Sequence, residues 1–136
     1  MPAGYSPNPL IKKLGIKAGF TCLILNEPAH YVDLLEEIPP DTEFTDVPSK
    51  EAFDLIHVFV TSEEAMKSDW KLWKSSLKKT GTLWVSWPKQ TSPMATELNG
   101  NFVREFGLKG GLVDVKVCAV DHDWSGLKFM WRLKDR

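Results

Sequence analysis

Cysteine is scarce in this chain, and the spacings that make cysteine functional are absent. Cys22 and Cys118 are the only two cysteines in 136 residues, and neither lies in a Cys-x-x-Cys pair or beside a histidine. Each lies in an apolar run, where a thiol usually behaves as a small buried hydrophobic group. We therefore expect neither a disulfide framework nor a metal site.

Long apolar runs and an excess of charge are also missing. No run approaches the roughly 20 apolar residues that a membrane helix needs, and the N-terminus lacks the basic and apolar regions of a secretory signal. The formal net charge is −1, so no basic field would attract nucleic-acid phosphates. We expect a soluble, cytoplasmic protein that binds neither a membrane nor nucleic acid.

The composition is that of a globular domain. Hydrophobic residues make up 43% of the chain and charged residues 26%, which is close to globular averages. A length of 136 residues suits one domain, and no linker, internal repeat or low-complexity tract divides the sequence. We predict a single α/β domain over residues 1–136.

Short apolar runs alternate with amphipathic segments, which predicts strands alternating with helices. The predicted strands are Phe20–Leu25, Thr42–Val47, Phe53–Val60, Thr82–Trp87, Leu112–Val120 and Leu127–Leu133. The alternation implies crossover connections and parallel pairing, while the turn-rich connector before the last strand predicts a hairpin. The sequence therefore predicts a three-layer, doubly wound, mostly parallel sheet with a C-terminal antiparallel hairpin.

Local signals mark the ends of the predicted helices. Thr61 is expected to cap the third helix, with Glu64 completing a capping box. Lys78 and Lys79 are expected in its last turn, before a left-handed stop at Gly81. The fourth helix, which contains Phe102, Val103 and Phe106, is expected to end in the same way at Gly107 and Leu108.

Several segments resemble the class I methyltransferase core, a Rossmann-like fold. Phe53-Asp54-Leu55-Ile56 resembles the Phe-Asp-hydrophobic fourth strand of that superfamily, and Leu77–Leu83 resembles its Leu-Lys-Pro-Gly-Gly approach to the fifth. The closing hairpin resembles its sixth and seventh strands. The residues between Val47 and Phe53 are too few for a strand and a crossover helix. The resemblance therefore implies a truncated methyltransferase-like fold.

Nearly the whole chain is also similar to a family of small bacterial proteins catalogued as a domain of unknown function. The signatures that carry this similarity are Gly4-Tyr5-Ser6, Lys13–Ile16, Trp87-Pro88-Lys89, Leu112–Val117 and Trp124–Phe129. The resemblance implies a bacterial origin and brings no activity with it.

The glycine-rich loop that the methyltransferase resemblance implies is missing. That fold holds S-adenosylmethionine on an acidic-x-Gly-x-Gly-x-Gly loop after the first strand, because glycine lets the backbone approach the ligand. This chain has Leu25–His30 there, with no glycine and with Pro28, which has no N–H to donate. Asp46 or Glu43 is the candidate for the acidic residue that would hold a ribose. No Walker-type phosphate loop is present, and we expect no cofactor.

Ligands of open α/β sheets lie outside the carboxyl ends of the strands, and three segments are expected to meet there. The candidate ligand-binding residues in these segments are Asn26, Glu27, His30, Thr61, Ser62, Trp87 and Lys89. Helix N–H groups after Thr61 and the Lys89 ammonium would suit a small anionic metabolite. Alternatively, these residues are a helix cap, solvated charges and the edge of the core. No catalytic residue is assigned.

Three further positions have competing interpretations. A cis bond before Pro88 would fix the direction of the next side chain, or Pro88 simply ends a strand. His122 lies between Asp121 and Asp123, which suits acid–base chemistry, although turns also collect such residues for local hydrogen bonds. His57 lies inside an apolar strand and is expected to be a core histidine.

Two functional hypotheses follow. The main one is a non-enzymatic binding or interaction module on a degenerate methyltransferase-like fold, with a self-association surface. Trp87, Trp124 and Trp131 are expected to be partly exposed, as interface tryptophans often are. The alternative is an S-adenosylmethionine-dependent methyltransferase, or another enzyme or sensor, that binds a small anionic or adenosine-like metabolite.

Overall fold

Helices and strands alternate along the chain much as the apolar pattern predicts. The structure is a computed structural model that describes residues 9–136, so the Gly4-Tyr5-Ser6 signature lies outside the described residues. The elements in chain order are α1 Leu10–Leu14, β1 Thr21–Leu25, α2 Tyr31–Leu35, β2 Glu43–Thr45, β3 Phe53–Phe59, α3 Glu63–Ser76, β4 Leu77–Pro88, α4 Gly100–Lys109, β5 Leu112–Ala119 and β6 Trp124–Trp131.

The six strands form one sheet in the order β2-β1-β3-β4-β6-β5. The strands from β1 to β4 pair in parallel, while β6 pairs antiparallel with both β4 and β5. The last strand of the chain therefore inserts between β4 and β5 and leaves β5 at the edge. This confirms the predicted mostly parallel sheet with its antiparallel C-terminal hairpin.

Helices cover both faces of the sheet. Leu14 of α1 and Leu35 of α2 pack into the core on one face, and Trp73 of α3 and Val103 of α4 pack into the core on the other. From Leu55 to Phe59, successive apolar side chains of β3 alternate between these two cores, as strand geometry requires. The three-layer, doubly wound arrangement is therefore confirmed. Among residues 9–136, no helix is both long and apolar enough to cross a membrane.

The link from β2 to β3 contains neither a helix nor a strand. It crosses β1, because Thr45 of β2 and Ile56 of β3 both pair with Leu23 of β1. The lateral step of two strands is roughly 10 Å, which residues 46–52 span without a crossover helix. This agrees with the predicted truncation.

Helix α3 begins one residue later than predicted. Ser62 is the N-cap, because its side-chain oxygen accepts a hydrogen bond from the backbone N–H of Ala65 at 3.1 Å. Thr61 lies outside the helix and is exposed. The predicted capping box is wrong by one position, which leaves Glu64 at the second helical residue.

The end of α3 differs from the prediction because the chain passes directly into a strand. The helix ends at Ser76, and Leu77 is already extended, with φ −84° and ψ 127°. Lys78 and Lys79 therefore lie in β4. The backbone of Gly81 does not have the positive φ of a left-handed stop. Its missing side chain instead lets β4 approach β3, because a Cβ there would lie 2.8 Å from the carbonyl oxygen of Phe53.

Helix α4 ends later than predicted, and helix α2 is short. Gly107 lies inside α4, where its missing Cβ makes room for the ring of Phe129. Helix α2 ends at Leu35, because Glu36 adopts a φ of 63° that interrupts the helical backbone. Both differences come from packing or backbone conformation that the local sequence pattern does not specify.

The tryptophans are more buried than predicted. Three lie in the core: Trp70, Trp73 and Trp84. Trp87 and Trp124 are only 7% and 5% exposed, so the expectation of partial exposure holds for Trp131 alone. The rings of Trp87 and Trp124 therefore belong to the two cores.

Candidate ligand site at the carboxyl edge of the sheet

The seven candidate residues follow the carboxyl ends of three strands, as predicted, but they line different surfaces. After β1 come Asn26, Glu27 and His30, and after β3 come Thr61 and Ser62. At or just beyond the end of β4 are Trp87 and Lys89. Of these, Glu27 lines one cavity and Trp87 lines another. Glu27 and Trp87 therefore lie at separate cavities, although the strands that they follow end at the same edge of the sheet.

The turn after β1 forms without glycine. Asn26 has a φ of 61°, in the left-handed region that asparagine tolerates better than most residues. The chain then passes through Pro28, whose carbonyl oxygen accepts a hydrogen bond from the N–H of Tyr31 at 3.0 Å. The backbone therefore turns sharply here, but Pro28 offers no N–H to a ligand.

His30 is held by the connector between β5 and β6. Its Nε2 lies 2.8 Å from Oδ2 of Asp121. Asp121 is buried, and its Oδ1 accepts hydrogen bonds from the N–H groups of Asp123 and Trp124 at 2.8 and 2.9 Å. The sequence suggested His122, the next residue in the chain, as the histidine that Asp121 would accompany, and His122 is exposed in the structure. The pairing with His30 joins residues 91 positions apart, and no local pattern signals it.

The residues after β3 and β4 have local structural roles. The Ser62 side chain caps α3, beside the exposed Thr61. The N–H of Lys89 donates to the carbonyl oxygen of Asp123 at 2.8 Å. The bond before Pro88 is trans, since residues 9–136 contain no cis peptide bond. Pro88 therefore ends β4, and the cis interpretation is wrong.

Trp87 lies beside a cavity of about 510 Å³ on the α4 face of the sheet. Its ring packs against Gly100, where a Cβ would lie 3.1 Å from Cζ2 of the indole. Arg104 and Asp114 also line this cavity, with Nε and Oδ2 3.1 Å apart. The two charged groups in this wall therefore satisfy each other.

A second cavity, of about 390 Å³, opens between α2 and β2. Its apolar walls come from Ile24, Val32, Leu35, Ile38 and Phe44, and its polar groups from Glu27, Tyr31, Thr45 and Asp46. A mostly apolar wall with a few polar groups is usual for a small-molecule site. Sequence reasoning named Glu27 and Asp46 without foreseeing that they share a cavity.

Two carboxylates of this cavity lie at the same edge of the sheet. Glu27 follows β1 and Asp46 follows β2, and these strands are parallel neighbours. Glu43 is the first residue of β2 and so lies at the opposite edge. Of the two residues considered for a ribose, only Asp46 is therefore placed to reach a ligand at the carboxyl edge.

A buried polar chain connects the cavity wall to the sheet. The hydroxyl of Tyr31 lies 2.8 Å from Nδ1 of His57, whose Nε2 lies 2.7 Å from Oγ of Ser86. Burial lowers the pKa of His57 to about 3, so the ring is neutral and both nitrogens have partners. Burial also raises the pKa of Tyr31. His57 is thus confirmed as a core histidine.

The part of the chain that the structure describes contains no group of three His, Cys, Asp or Glu side chains placed to hold a metal ion. Cys22 is buried and Cys118 partly so. Burial, with a smaller contribution from Asp54, raises the pKa of Cys22 to about 12. The Cys22 thiol is therefore protonated and unreactive at neutral pH.

No protein-family model and no curated protein matches this sequence. Solved structures do resemble it. An S-adenosylmethionine-dependent methyltransferase from Aquifex aeolicus has a TM-score of 0.64 at 16% identity, covering 95% of this chain and 91% of that chain. DhpI in complex with S-adenosylhomocysteine has a TM-score of 0.63 at 10% identity, covering 92% and 83%. A TehB-like methyltransferase from Corynebacterium glutamicum has a TM-score of 0.56 at 12% identity, covering 96% and 91%.

At such low identity the likeness shows the fold alone. The similarity to the family of small bacterial proteins is not confirmed, since no family model matches. Asn26–His30 stands where the methyltransferase resemblance implies a glycine-rich loop. The chain therefore has a Rossmann-like fold of the kind seen in S-adenosylmethionine-dependent methyltransferases.

Proposed function

We propose that the protein binds a cationic adenosyl ligand of the S-adenosylmethionine type in the cavity between α2 and β2. One observation carries this proposal: Glu27 and Asp46, at the carboxyl ends of neighbouring strands, line the same cavity. Ligands of open α/β sheets lie in such crevices. One of the solved structures with this fold is a complex with S-adenosylhomocysteine.

Different residues of the cavity suit different parts of this ligand. The Asp46 carboxylate would accept hydrogen bonds from ribose hydroxyls. Phe44, which is 36% exposed, offers an aromatic face on which a base can stack. The Glu27 carboxylate would attract the amino and sulfonium charges. The ribose, the base and the cationic groups of the ligand therefore each have a partner in the cavity, whereas its carboxylate has no lysine or arginine of the described lining to meet. The turn at Pro28 also contributes fewer N–H donors than a glycine-rich loop would.

The charge of the cavity favours a cation over the anionic metabolite considered from sequence. Its two charged side chains are carboxylates, and no lysine or arginine of the described residues lines it. Lys89 follows β4, and β3 lies between β4 and β1 in the sheet. Lys89 is therefore not among the residues that line this cavity. A phosphate in this cavity would meet Glu27 and Asp46 without a compensating cation, which is unfavourable.

S-adenosylmethionine supplies an electrophilic methyl group when bound, so methyl transfer is the activity this proposal implies. The roles of the chain itself are to bind and orient the ligand. Tyr31, fixed through His57, and Leu35 are both buried and form the rigid side of the cavity. Asp46 and Phe44 would hold the nucleoside against this side.

The interaction-module hypothesis is the second candidate, and one observation favours it. Val32, Ile38 and Phe44 at the cavity are 64%, 43% and 36% exposed. An apolar rim of this kind is typical of surfaces that another molecule covers. This hypothesis predicts no response to an adenosyl ligand.

A thermal-shift screen separates the two candidates. At about 100 times its Kd, a ligand stabilises the native state by about 2.7 kcal/mol, a rise in Tm of several degrees. We expect the largest rise with S-adenosylmethionine and a smaller one with S-adenosylhomocysteine, which lacks the sulfonium charge. ATP should give none, because its phosphates meet two carboxylates. No shift with any of these compounds would overturn the proposal.

Matched variants locate the site. Asp46→Asn should lower the rise in Tm, while Glu43→Gln, at the other end of β2, should leave it unchanged. Glu27→Gln should reduce the preference for S-adenosylmethionine over S-adenosylhomocysteine. Lys89→Ala should have no effect. An equal loss in Glu43→Gln and Asp46→Asn would contradict the assignment of this cavity.

A further inference from the structure

Two lysines lie directly opposite each other near the edge of the sheet that is farther from the cavity. Lys116 of the edge strand β5 pairs in register with Lys128 of β6. Like charges at opposed positions of neighbouring strands are unfavourable. Burial lowers the pKa of Lys128, and the charges of Lys116 and Lys17 lower it further. The fold therefore keeps a repulsive pair at this position.

Two more lysines come from α1 and the segment after it. Lys13 is only 9% exposed, and its Nζ donates to the carbonyl oxygen of Ala119 at 2.9 Å. An ammonium group has three donors, and this is the one hydrogen bond that the Lys13 ammonium makes among the described residues. Lys17 lies near enough to Lys128 to affect its pKa. Both residues therefore add positive charge to the same face.

The thiol of Cys118 lies within this group. Burial raises the pKa of Cys118, while the charges of Lys13 and Lys116 oppose that shift. We refer to Lys13, Lys17, Lys116 and Lys128 as the lysine cluster. Three ion pairs occur in residues 9–136, and none of them includes a member of the cluster. In a chain of net charge −1, this is a local excess of positive charge without a protein counter-ion.

We propose that the lysine cluster binds a ligand that carries adjacent phosphate groups. Lys116 and Ala119, where Lys13 is anchored, are three residues apart on β5, or roughly 10 Å. Ammonium groups spread over this length can contact two phosphates, which they bind as point charges. A bound phosphate would relieve the repulsion between Lys116 and Lys128 and give Lys13 further acceptors. The lysine cluster shares no residue with the adenosyl cavity.

Adjacent phosphates occur both in small diphosphates and in a nucleic-acid backbone. The probes are therefore pyrophosphate and a short, fluorescein-labelled single-stranded oligouridylate, titrated at low salt. Saturable binding of pyrophosphate with weak binding of the RNA assigns a small ligand. Tighter binding of the RNA assigns a nucleic acid. Absence of binding for both probes would overturn the proposal.

A double variant tests whether the lysine cluster is responsible. Lys116→Ala with Lys128→Ala should weaken binding of the better probe by about tenfold or more. The control is Lys50→Ala with Lys71→Ala, which removes the same charge from exposed residues elsewhere and should leave the affinity nearly unchanged. For RNA, the slope of log K against log salt should fall by about 1.4 in the cluster variant alone. Equal losses in both double variants would show non-specific attraction and overturn the proposal.

A single reversal of charge separates binding from stability. Lys116→Glu places a carboxylate opposite Lys128, so Tm without ligand should rise by about 1–4 °C, while binding of the probe is lost. A purely structural role for Lys116 would not give opposite changes in the two measurements. Retained binding, or a lower Tm, would contradict the proposal.

Cys118 provides a local readout in the unchanged protein. It is partly exposed, whereas Cys22 is fully buried, so a neutral alkylating reagent reports on Cys118. A phosphate in the cluster would offset the lysine charges that favour the thiolate and would slow alkylation. We expect slowing that saturates at the midpoint of probe binding, measured by peptide mass spectrometry. An unchanged rate at saturating probe would place the ligand elsewhere and overturn the proposal.

Discussion

His57 shows how burial turns a titratable side chain into a structural one. Its ring is fully buried between the Tyr31 hydroxyl and the Ser86 hydroxyl, with a partner at each nitrogen. A charged ring would lose hydration and find no carboxylate here, and burial accordingly lowers its pKa to about 3. The neutral ring keeps Tyr31 in the cavity wall, so a core residue supports the candidate site.

The low pKa of His57 predicts a specific loss of stability in mild acid. In the unfolded chain the histidine has a pKa of about 6.5, so between about pH 3 and 6.5 the unfolded state binds an additional proton. The free energy of unfolding should therefore fall as the pH drops below about 6.5, by up to about 1.4 kcal/mol per pH unit. His57→Gln should reduce this slope between about pH 5 and 6.5, measured by urea unfolding.

If His57→Gln shows the same pH dependence as the wild-type protein, protonation of His57 does not limit stability.

Gly107 is a residue whose lack of a side chain is required by packing. It lies inside α4, and a Cβ there would lie 2.2 Å from Cε1 of Phe129. Although alanine favours a helix, we expect Gly107→Ala to lower the free energy of unfolding by about 1–3 kcal/mol, because the overlap exceeds that gain. The cost should be smaller in a Phe129→Leu background. An equal cost in both backgrounds would mean that Phe129 is not the obstacle.

At the scale of elements, α3 shows where local signals succeed and where they fail. Its apolar stripe predicts the helix, and Met66, Trp70 and Trp73 are indeed buried on it. Its end was predicted wrongly, because Leu77 pairs with Phe53 of β3. A pairing between distant segments outweighs the helical preference of the lysines that follow.

The N-cap of α3 gives a prediction at a single helix end. Ser62→Ala should lower the free energy of unfolding by about 1 kcal/mol, because the N–H of Ala65 loses its acceptor. Thr61→Ala should change it by less than about 0.5 kcal/mol, since Thr61 is exposed and outside the helix. Chemical denaturation of both variants measures the difference. A larger cost for Thr61→Ala would favour the cap expected from sequence.

Sequence patterns predicted much of the layout of the elements, for identifiable reasons. Apolar runs bounded by turn residues specify strands, so β3 was placed within one residue of its observed end. The pattern cannot specify contacts between distant segments. The pairing of His30 with Asp121 joins segments that are far apart in the sequence. The opposition of Lys116 to Lys128 arises from the register of the β5–β6 hairpin, which shifts at a bulge between Asp114 and Lys116.

At the scale of the whole molecule, the two candidate binding surfaces lie near opposite edges of the sheet and carry opposite charge. The cavity near the β2 edge is lined by two carboxylates, and the lysine cluster lies near the β5 edge. A net charge of −1 conceals this separation. The alternation of strands and helices predicts which edge of the sheet would hold a ligand. The charge of each surface depends on which side chains the folded chain brings together, and the sequence pattern does not specify this.

An amide NMR titration with S-adenosylmethionine tests the central claim most directly, because it locates the ligand without altering the protein. The account predicts saturable shifts centred on Glu27, Val32 and Asp46, which line one cavity, with little change at Lys116. Shifts centred on Thr61 and other residues beyond β3 and β4, or no shifts at saturating ligand, would contradict it.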